Sequence, residues 1–422
     1  MALFGTSGIR GVFNREITAE LALKVGMALA SDKGPGRYVL AHDARLSGRV
    51  LSMAFSSGVM ACGGDVVFEG LLPTGATAFL TRELKARSGC IITASHNPPE
   101  YNGLKLLRSD SSPFWPEDEK KIEEVLSKGS FKLVGWDRIG SYEASEDIGR
   151  YIGALFDRVE LRHKWKVVLD PGCGSASGLA KAVFEAVGCE VIAINDKPDG
   201  SFPARDPDPR PDTVGELMSV VREVGADVGF AYDGDADRMV VVDEKGDFVP
   251  FDVTLAAFAA HSVRSGKGRL VVTTVEASYC VYEAVRAEGG EIVRTKVGDK
   301  YVSREVVRHR AVFGGEPCGA WVIPDVHLCA DGILASLMVL KALDDEGVRP
   351  SEFFASIPRF HTVRRKLPCP NELKGPVMSS LKSILLSEFK GVVEVIDIDG
   401  LRLELEDGWV LVRPSGTEPV VR

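Results

Sequence analysis

Three segments of this chain repeat one pattern: an apolar strand, a helix that ends at a glycine, and a second apolar strand. The first runs from RYVLAHD to DVVF, the second from KVVLD to EVIAI, and the third from RLVVTTV to EIVRT. Their helices end at Gly63, Gly188 and Gly289, and glycine fits the left-handed position that follows a helix. Short links between strand, helix and strand form a βαβ unit with parallel strands. The repeat predicts three similar α/β domains with mixed, largely parallel sheets.

The change of pattern after Phe360 predicts a fourth domain. That region reads as a helix near residues 378–388, followed by antiparallel strands with turns at Asp399-Gly400 and Asp407-Gly408, and so as a smaller α+β domain. A chain of 422 residues fits about two to four domains. The predicted domains cover residues 1–150, 151–252, 253–358 and 359–422.

Composition limits the kinds of partner and location. The chain has no run of about 18 apolar residues, so we expect no membrane partner, and MALFGTSGIRG lacks the apolar stretch of a signal peptide. A net charge of −9 disfavours nucleic acid as a partner. Eight cysteines without a CxxC pair favour reduced thiols and a cytoplasmic location. We expect a small-molecule partner and either a monomer or a homodimer.

The stretch YDGDADR carries three aspartates at alternate positions, Asp233, Asp235 and Asp237. Oxygen ligands at this density suit a hard divalent cation such as Mg²⁺. The spacing also fits the first half of an EF-hand, but Arg238 stands where that loop needs glycine, and the flanking segments are strands. A solvated acidic turn is the alternative. We predict a metal site.

The stretch TASHNPPEYNG places Ser95 beside His96, which invites comparison with a hydrolase nucleophile and its base. Adjacent residues on an extended segment point to opposite faces, so we expect His96 not to reach the Ser95 hydroxyl. The activation of Ser95 must then come from another group.

Two further stretches have the composition of anion-binding loops. RPSGTEP combines a guanidinium with backbone N–H groups that could hold a phosphate, although a polar turn at a strand end is the alternative. FGTSGIRG joins small residues to Arg10, and taken alone it could equally be a flexible terminus.

Two glycine-rich loops allow alternative readings. In GGEPCGAW, Glu316 could accept hydrogen bonds from sugar hydroxyls or could cap a helix. DPGCGSASG lies where a dinucleotide-binding loop would, which keeps an NAD-dependent dehydrogenase as a competitor, but its glycines depart from the fingerprint by one residue and favour a tight turn.

Together these stretches describe phosphoryl transfer better than acyl transfer. A metal and nearby cations neutralise phosphoryl oxygens, and positioning supplies most of the catalysis. Ser95 would carry the phosphoryl group, His96 would contact phosphate or substrate, and Lys105 would neutralise charge or move a proton.

The segments FGTSGIRG, TASHNPPEYNGLK, DGDADR, GGEPCG and RPSGTEP resemble, in order and spacing, those of the α-D-phosphohexomutases. The resemblance covers nearly the whole chain. It implies four domains around a central cleft, each giving one loop. It also implies transfer of phosphate between O1 and O6 of a hexose through a phosphoserine and a hexose 1,6-bisphosphate, which acts as activator.

The resemblance implies a role for each loop. Ser95 would be the phosphoserine and a metal ligand beside the three aspartates, and the fourth domain would rotate to close the cleft. The residues implied at the reacting phosphate are Arg10, His96, Lys105 and Arg238. Glu316 would contact the sugar. The residues implied at the distal phosphate are Arg413, Ser415, Gly416 and Thr417.

Two departures from the family pattern stand out. Cys318 occupies a sugar-loop position where serine is usual, and a thiol is a weak hydrogen-bonding partner. Family members usually continue with a strand and a helix beyond the point that corresponds to Pro419, so we expect the fourth domain to be incomplete in this sequence.

TASHNPPEYNGLK and GGEPCGAW together most resemble the corresponding motifs of archaeal-type phosphoglucosamine mutases. A bifunctional phosphomannomutase/phosphoglucomutase is the alternative. A phosphosugar phosphatase and a non-catalytic sugar-phosphate binder are more remote, because the first would need water to intercept the phosphoserine and the second would be expected to lose Ser95 or an aspartate.

Overall fold

The computed structural model describes residues 3–266, 268–406, 408–415 and 419–422. Asp407 of a predicted turn, and Gly416 and Thr417 of the predicted phosphate loop, lie outside the described residues.

The first domain is a six-stranded mixed sheet with helices on its faces. Its elements are β1 (Ile9–Val12), α1 (Ala19–Lys33), β2 (Gly36–His42), α2 (Gly48–Ala61), β3 (Gly64–Leu71), α3 (Thr74–Glu83), β4 (Ser88–Ile92), β5 (Tyr101–Arg108), α4 (Pro116–Lys128) and β6 (Tyr142–Ala144). The strand order is β1-β5-β4-β2-β3-β6. β2 pairs in parallel with β3 and β4, whereas β5 runs antiparallel to both of its neighbours.

The second domain has a four-stranded sheet. Its elements are α5 (Ile148–Phe156), β7 (Lys166–Asp170), α6 (Leu179–Ala186), β8 (Glu190–Ala193), α7 (Gly215–Val224), β9 (Val228–Tyr232) and β10 (Met239–Val242). The strand order is β10-β9-β7-β8, with β7 parallel to β8 and β9 and with β10 antiparallel at the edge.

The third domain repeats this arrangement. Its elements are α8 (Phe251–Arg264), β11 (Leu270–Thr274), α9 (Tyr279–Ala287), β12 (Glu291–Thr295), α10 (Asp299–His309), β13 (Phe313–Gly315), β14 (Trp321–Val322), α11 (Gly332–Glu346) and α12 (Pro350–Ala355). β11 lies parallel to β12 and β13, and β14 is the antiparallel edge strand.

The fourth domain is a smaller α+β unit. Its elements are β15 (Leu367–Pro368), α13 (Asn371–Glu388), β16 (Val392–Ile396), β17 (Leu401–Leu405), β18 (Trp409–Val412) and β19 (Val420–Val421). β16, β17 and β18 form an antiparallel sheet, and β15 pairs antiparallel with β19. The predicted helix exists, but it begins seven residues earlier than expected, at Asn371 instead of 378.

The predicted repeat is confirmed. Gly63, Gly188 and Gly289 each follow a helix with φ angles of 80°, 93° and 72°, a conformation that costs glycine little and other residues more. The strand that follows each glycine joins its sheet in parallel. The predicted boundaries at 150 and 252 fall inside α5 and α8, which begin at residues 148 and 251.

One hydrophobic cluster runs through the first three domains. It includes Phe79 of α3, Tyr151 of α5, Phe184 of α6 and Leu337 of α11, all buried. Tyr151 packs edge-on against Phe79 with 5.7 Å between the ring centroids. α5 contacts both α3 and α6, and α11 contacts α3, α8 and β10. The three domains are therefore packed around a shared core, which fixes their loops relative to one another.

The described part of the chain contains no helix that combines the length and the apolar character needed to span a bilayer.

Candidate active site

The serine loop follows β4 and holds Ser95 in an unusual backbone conformation. Ser95 has a φ of 51°, in the left-handed region that a non-glycine residue adopts only when its surroundings impose it. It is fully buried, and its N–H donates to Thr93 Oγ1 at 2.8 Å. Its Oγ donates to Asp233 Oδ2 at 2.6 Å. The serine hydroxyl of the first domain therefore contacts the aspartate loop of the second.

Arg45, which the sequence analysis missed, holds the serine loop from behind. This buried guanidinium donates to the carbonyl oxygens of Ser95 at 2.8 Å, Asn97 at 2.5 Å, Pro98 at 2.5 Å and Tyr101 at 2.9 Å. Its Nε donates to Asp43 Oδ2 at 3.0 Å. One side chain thus fixes four carbonyls of the loop.

The expected separation of His96 from the Ser95 hydroxyl is wrong. His96 Nδ1 lies 3.3 Å from Ser95 Oγ. The expectation assumed an extended segment, whereas the left-handed φ of Ser95 turns the chain and brings both side chains to one side. The cation Arg238, then burial and Arg10, lower the pKa of His96, so the ring is neutral at physiological pH.

The aspartate loop lies between β9 and β10. Asp233, Asp235 and Asp237 are at most 4% exposed, and their ligand oxygens lie within 4.8 Å of one another. Burial, then Asp237 and Asp235, raise the pKa of Asp233 well above its usual value. Asp235 Oδ1 and Asp237 Oδ1 are buried without a hydrogen-bonding partner among the described residues. Three buried carboxylates, two of which have an oxygen without a partner among the described residues, form a donor set that fits a hard divalent cation.

Lys105 and Thr74 tie this loop to the first domain. Lys105 Nζ donates to Asp235 Oδ2 at 3.3 Å and to Asp237 Oδ2. Burial disfavours the charged amine, but Asp235 and Asp237 outweigh burial and raise the pKa of Lys105. Thr74, at the start of α3, donates its hydroxyl to Asp235 Oδ2 at 2.6 Å and its N–H to the Asp235 carbonyl at 3.0 Å.

Gly234 allows the serine and aspartate loops to meet. A Cβ atom built at this position would lie 2.5 Å from the Ser95 carbonyl oxygen, which is a clash with backbone. The close approach of the two loops therefore requires a glycine at this position.

Arg10 and Arg238 add positive charge at this end of the site. Arg10, on β1, has Nη1 3.5 Å from Asn97 Oδ1, and its buried Nε has no partner among the described residues. Arg238 is the residue after Asp237, and its guanidinium lies 3.7 Å from Asp208. A guanidinium with unused donors in a buried site can bind phosphate oxygens.

The predicted sugar loop, GGEPCGAW, lies against the aspartate loop. Met239 N donates to the Gly319 carbonyl at 3.2 Å, and a Cβ atom built at Gly319 would lie 2.1 Å from the Met239 carbonyl oxygen. Glu316 is 6% exposed, and its Oε2 accepts from Gly298 N at 2.7 Å. Burial, then the charge of Asp299, raise the pKa of Glu316 to about 8. Cys318 is half-buried, and burial raises the pKa of its thiol.

The described residues of the predicted distal loop contact the third and fourth domains. Arg413 forms ion pairs with Glu276 of the third domain, at 2.6 Å, and with Asp399, at 3.5 Å. Ser415 is buried and its N–H donates to the Val420 carbonyl at 3.0 Å. The structure thus brings the residues predicted at the reacting phosphate together and places Arg413 of the predicted distal set at the junction of the third and fourth domains.

The sequence held a signal for part of what was missed. Asp43 and Thr93 follow β2 and β4, which are parallel neighbours, and the carboxyl ends of parallel strands meet at one edge of a sheet. Thr93 Oγ1 donates to Asp43 Oδ2 at 2.7 Å. Thr74 and Asp299 carried no motif of their own.

Four family models match most of the chain. Residues 1–133, 150–246 and 251–360 match the phosphoglucomutase/phosphomannomutase α/β/α domains I, II and III. Residues 372–422 match the C-terminal domain of the same family.

Curated relatives and solved structures agree with these matches. A "probable phosphoglucosamine mutase" of Methanothermobacter thermautotrophicus is 43% identical over 422 residues, which is 100% of this chain and 92% of the relative. A protein of the same name from Pyrococcus abyssi is 43% identical over 420 residues, covering 99% and 92%. A phosphoglucomutase/phosphomannomutase family protein from Burkholderia thailandensis superposes with a TM-score of 0.90 at 30% identity, covering 100% and 92%.

Proposed function

Because this chain belongs to the phosphoglucomutase/phosphomannomutase family, we propose that it is a phosphohexomutase and that its preferred substrate is glucosamine phosphate. The observation that carries the proposal is the contact between Ser95 Oγ and Asp233, 2.6 Å long, at the edge of a three-aspartate cluster. The preference for the amino sugar rests on the name shared by relatives at 43% identity.

The proposed reaction has two transfers. In the first, the P–Oγ bond of phosphorylated Ser95 breaks, a P–O bond forms to the free hydroxyl oxygen of the hexose monophosphate, and the proton of that hydroxyl passes to Ser95 Oγ. The product is a hexose 1,6-bisphosphate. In the second, the bond between the other phosphoryl group and its sugar oxygen breaks, this group returns to Ser95 Oγ, and the Ser95 hydroxyl proton passes to the leaving sugar oxygen. The bisphosphate also acts as activator, because it can phosphorylate an unmodified Ser95.

The residues around Ser95 suit these transfers. Asp233, Asp235 and Asp237 would hold Mg²⁺, which supplies charge neutralisation for phosphoryl oxygens when it is bound. Arg10 and Arg238 offer donors to the same oxygens. His96 is neutral and 3.3 Å from Ser95 Oγ, so its ring can donate or accept a hydrogen bond there.

The remaining roles in the proposed reaction belong to Lys105, to the predicted sugar loop and to the predicted distal phosphate loop. Lys105 is a protonated donor beside the aspartates. Glu316 would contact sugar hydroxyls, with Cys318 as a weak partner. Arg413, Ser415, Gly416 and Thr417 would hold the distal phosphate. For Arg413 this requires phosphate to replace at least part of its pairing with Glu276. We further propose a cytoplasmic protein that is a monomer or a homodimer.

The test is phosphorus-31 NMR of the purified protein with Mg²⁺ and a trace of hexose 1,6-bisphosphate. Glucosamine, mannose and glucose 6-phosphates are supplied in turn. We expect a 1-phosphate from each sugar that turns over, formed fastest from glucosamine 6-phosphate, and we expect loss of turnover on chelation and recovery with Mg²⁺. Faster turnover of mannose or glucose 6-phosphate would favour a phosphomannomutase/phosphoglucomutase instead.

Ser95→Ala separates the remaining alternatives. A mutase loses turnover in this variant and still binds the sugar phosphate in a calorimetric titration. Release of inorganic phosphate without a 1-phosphate from the unmodified protein would identify a phosphatase. Binding of the sugar phosphate by the unmodified protein without any conversion would identify a sensor.

A further inference from the structure

We propose that Asp299 binds the protonated amine at C2 of the sugar and thereby selects amino-sugar phosphates over neutral hexose phosphates. The inference rests on the proposed function, since it assigns the residue that distinguishes the proposed substrate from its neutral analogues.

Asp299 lies between two loops of the proposed site. It is the first residue of α10, and the residue before it, Gly298, donates its N–H to Glu316 Oε2 at 2.7 Å. Asp299 Oδ1 accepts from Ser7 Oγ, on the N-terminal loop, at 2.9 Å. The carboxylate is therefore held beside the proposed sugar contact of the third domain and the N-terminal loop of the first.

One oxygen of this carboxylate lacks a partner. Asp299 is 4% exposed, and its Oδ2 is buried without a hydrogen-bonding partner among the described residues. Asp299 forms no ion pair with any residue that the structure describes. The amine of the neighbouring residue, Lys300, donates hydrogen bonds to the Glu119 carboxylate and to the Gly5 carbonyl, each at 2.8 Å. A buried carboxylate in this state carries an unfavourable desolvation energy that a bound cation would offset.

The space beside Asp299 has the size of the proposed group. Asp299 borders a cavity of about 10 Å³ together with Ser7, Gly8, Lys105 and Lys300. A space of this kind holds about one water-sized group, and an ammonium group has that size. The two lysine amines that also border it are held by Glu119 and by the metal-loop aspartates.

A second acid, Glu316, lies near Asp299, although it does not border the cavity. Glu316 and Asp299 lie close enough that Asp299, after burial, contributes to raising the pKa of Glu316 to about 8. A positive group beside Asp299 would relieve this repulsion and would donate a charge-assisted hydrogen bond to Asp299 Oδ2. A neutral C2 hydroxyl would relieve less of it, and an acetylated amine is both neutral and too large for the cavity.

The test compares two sugars in two proteins. In Asp299→Asn, kcat/KM for glucosamine 6-phosphate should fall at least about tenfold more than kcat/KM for glucose 6-phosphate, because the bond lost to the ammonium group is charge-assisted. The control is Asp118→Asn. Asp118 is also a buried acid in the first turn of a helix, but it pairs with Arg108 and Lys33 outside the site. Its substitution should leave the ratio of the two sugars unchanged.

If Asp299→Asn loses all turnover, the proposal is tested by measuring sugar-phosphate binding to catalytically inactive variants. Glucosamine and glucose 6-phosphates are titrated into Ser95→Ala and into Ser95→Ala/Asp299→Asn by calorimetry, and selective weakening of the amino sugar supports the proposal. Equal changes for both sugars, in turnover and in binding, would show that Asp299 supports the fold or holds a water, and would overturn it. Absence of any mutase activity in the unmodified protein would instead count against the proposed function.

Discussion

Arg45→Lys should disable the serine loop while leaving most of the fold intact. Arg45 serves five acceptors, the carboxylate of Asp43 and the carbonyls of Ser95, Asn97, Pro98 and Tyr101. A lysine ammonium has three donors, so at least two acceptors lose their bond even if the amine reaches the site.

The cost can be estimated from those two bonds. Each hydrogen bond from a charged donor contributes about 1.5 to 3 kcal/mol, so the loop loses about 3 to 6 kcal/mol of support. The left-handed φ of Ser95 costs about 1 to 3 kcal/mol, and the hydrogen bonds from Arg45 offset that cost in the unmodified protein. At 1.4 kcal/mol per factor of ten, the population of the competent loop should fall by about 10² to 10⁴, and turnover should fall with it.

The assay combines kinetics with hydrogen exchange. We expect kcat/KM to fall by about 100-fold or more, with faster amide exchange confined to residues 94–101 and their neighbours. The control is Arg82→Lys, a partly exposed arginine of the same domain whose guanidinium lies over the Phe79 ring at 5.6 Å, and it should keep normal kinetics. Turnover within about threefold of the unmodified protein, with unchanged exchange, would refute the reasoning.

Two further predictions concern the aspartate and sugar loops. Thr74→Val keeps the backbone hydrogen bond to the Asp235 carbonyl but loses the 2.6 Å hydrogen bond from its hydroxyl to Asp235 Oδ2. The Mg²⁺ concentration for half-maximal activity should therefore rise about tenfold. The control Thr77→Val, one turn along α3, should leave that concentration unchanged. Equal Mg²⁺ requirements in both variants would contradict this. Glu316 has a pKa of about 8 in the folded protein and 4.5 in the unfolded chain. Between those two pH values the native state keeps a proton that the unfolded chain loses. The free energy of unfolding should therefore decline as pH rises through this range, by up to about 1.4 kcal/mol per pH unit. Urea unfolding at about pH 5.5 and about pH 7.5 should show this decline in the unmodified protein and a smaller one in Glu316→Gln; parallel declines in the two proteins would disprove it.

The repeated domains were predictable because their signals are local. A helix that ends at Gly63 or Gly188 and continues into a β-branched strand uses only the conformational preference of glycine and the period of apolar residues. The aspartate loop was predictable for a related reason, since three acids between two apolar strands need a compensating charge.

The positioning residues were not predictable because their signals are long-range. Thr74 and Asp235 are 161 residues apart in sequence, and nothing in the local pattern of either indicates the bond between them. The contact of His96 with Ser95 depended on one left-handed φ, which no propensity of serine predicts. The charge of Asp299 is unremarkable in sequence and becomes informative only once it is found buried.

Domains that repeat one sheet pattern would ordinarily be treated as modules that can be exchanged between proteins. The hydrophobic cluster shared by the first three removes that freedom, because a cut at either repeat boundary would leave apolar faces of both pieces in water. The described residues of the fourth domain contribute nothing to that cluster, and polar contacts such as Arg402 with the Val275 carbonyl and Arg413 with Glu276 attach it. For recombination or protein engineering, the usable joint is therefore the one near residue 360, and the three repeated domains must be kept together.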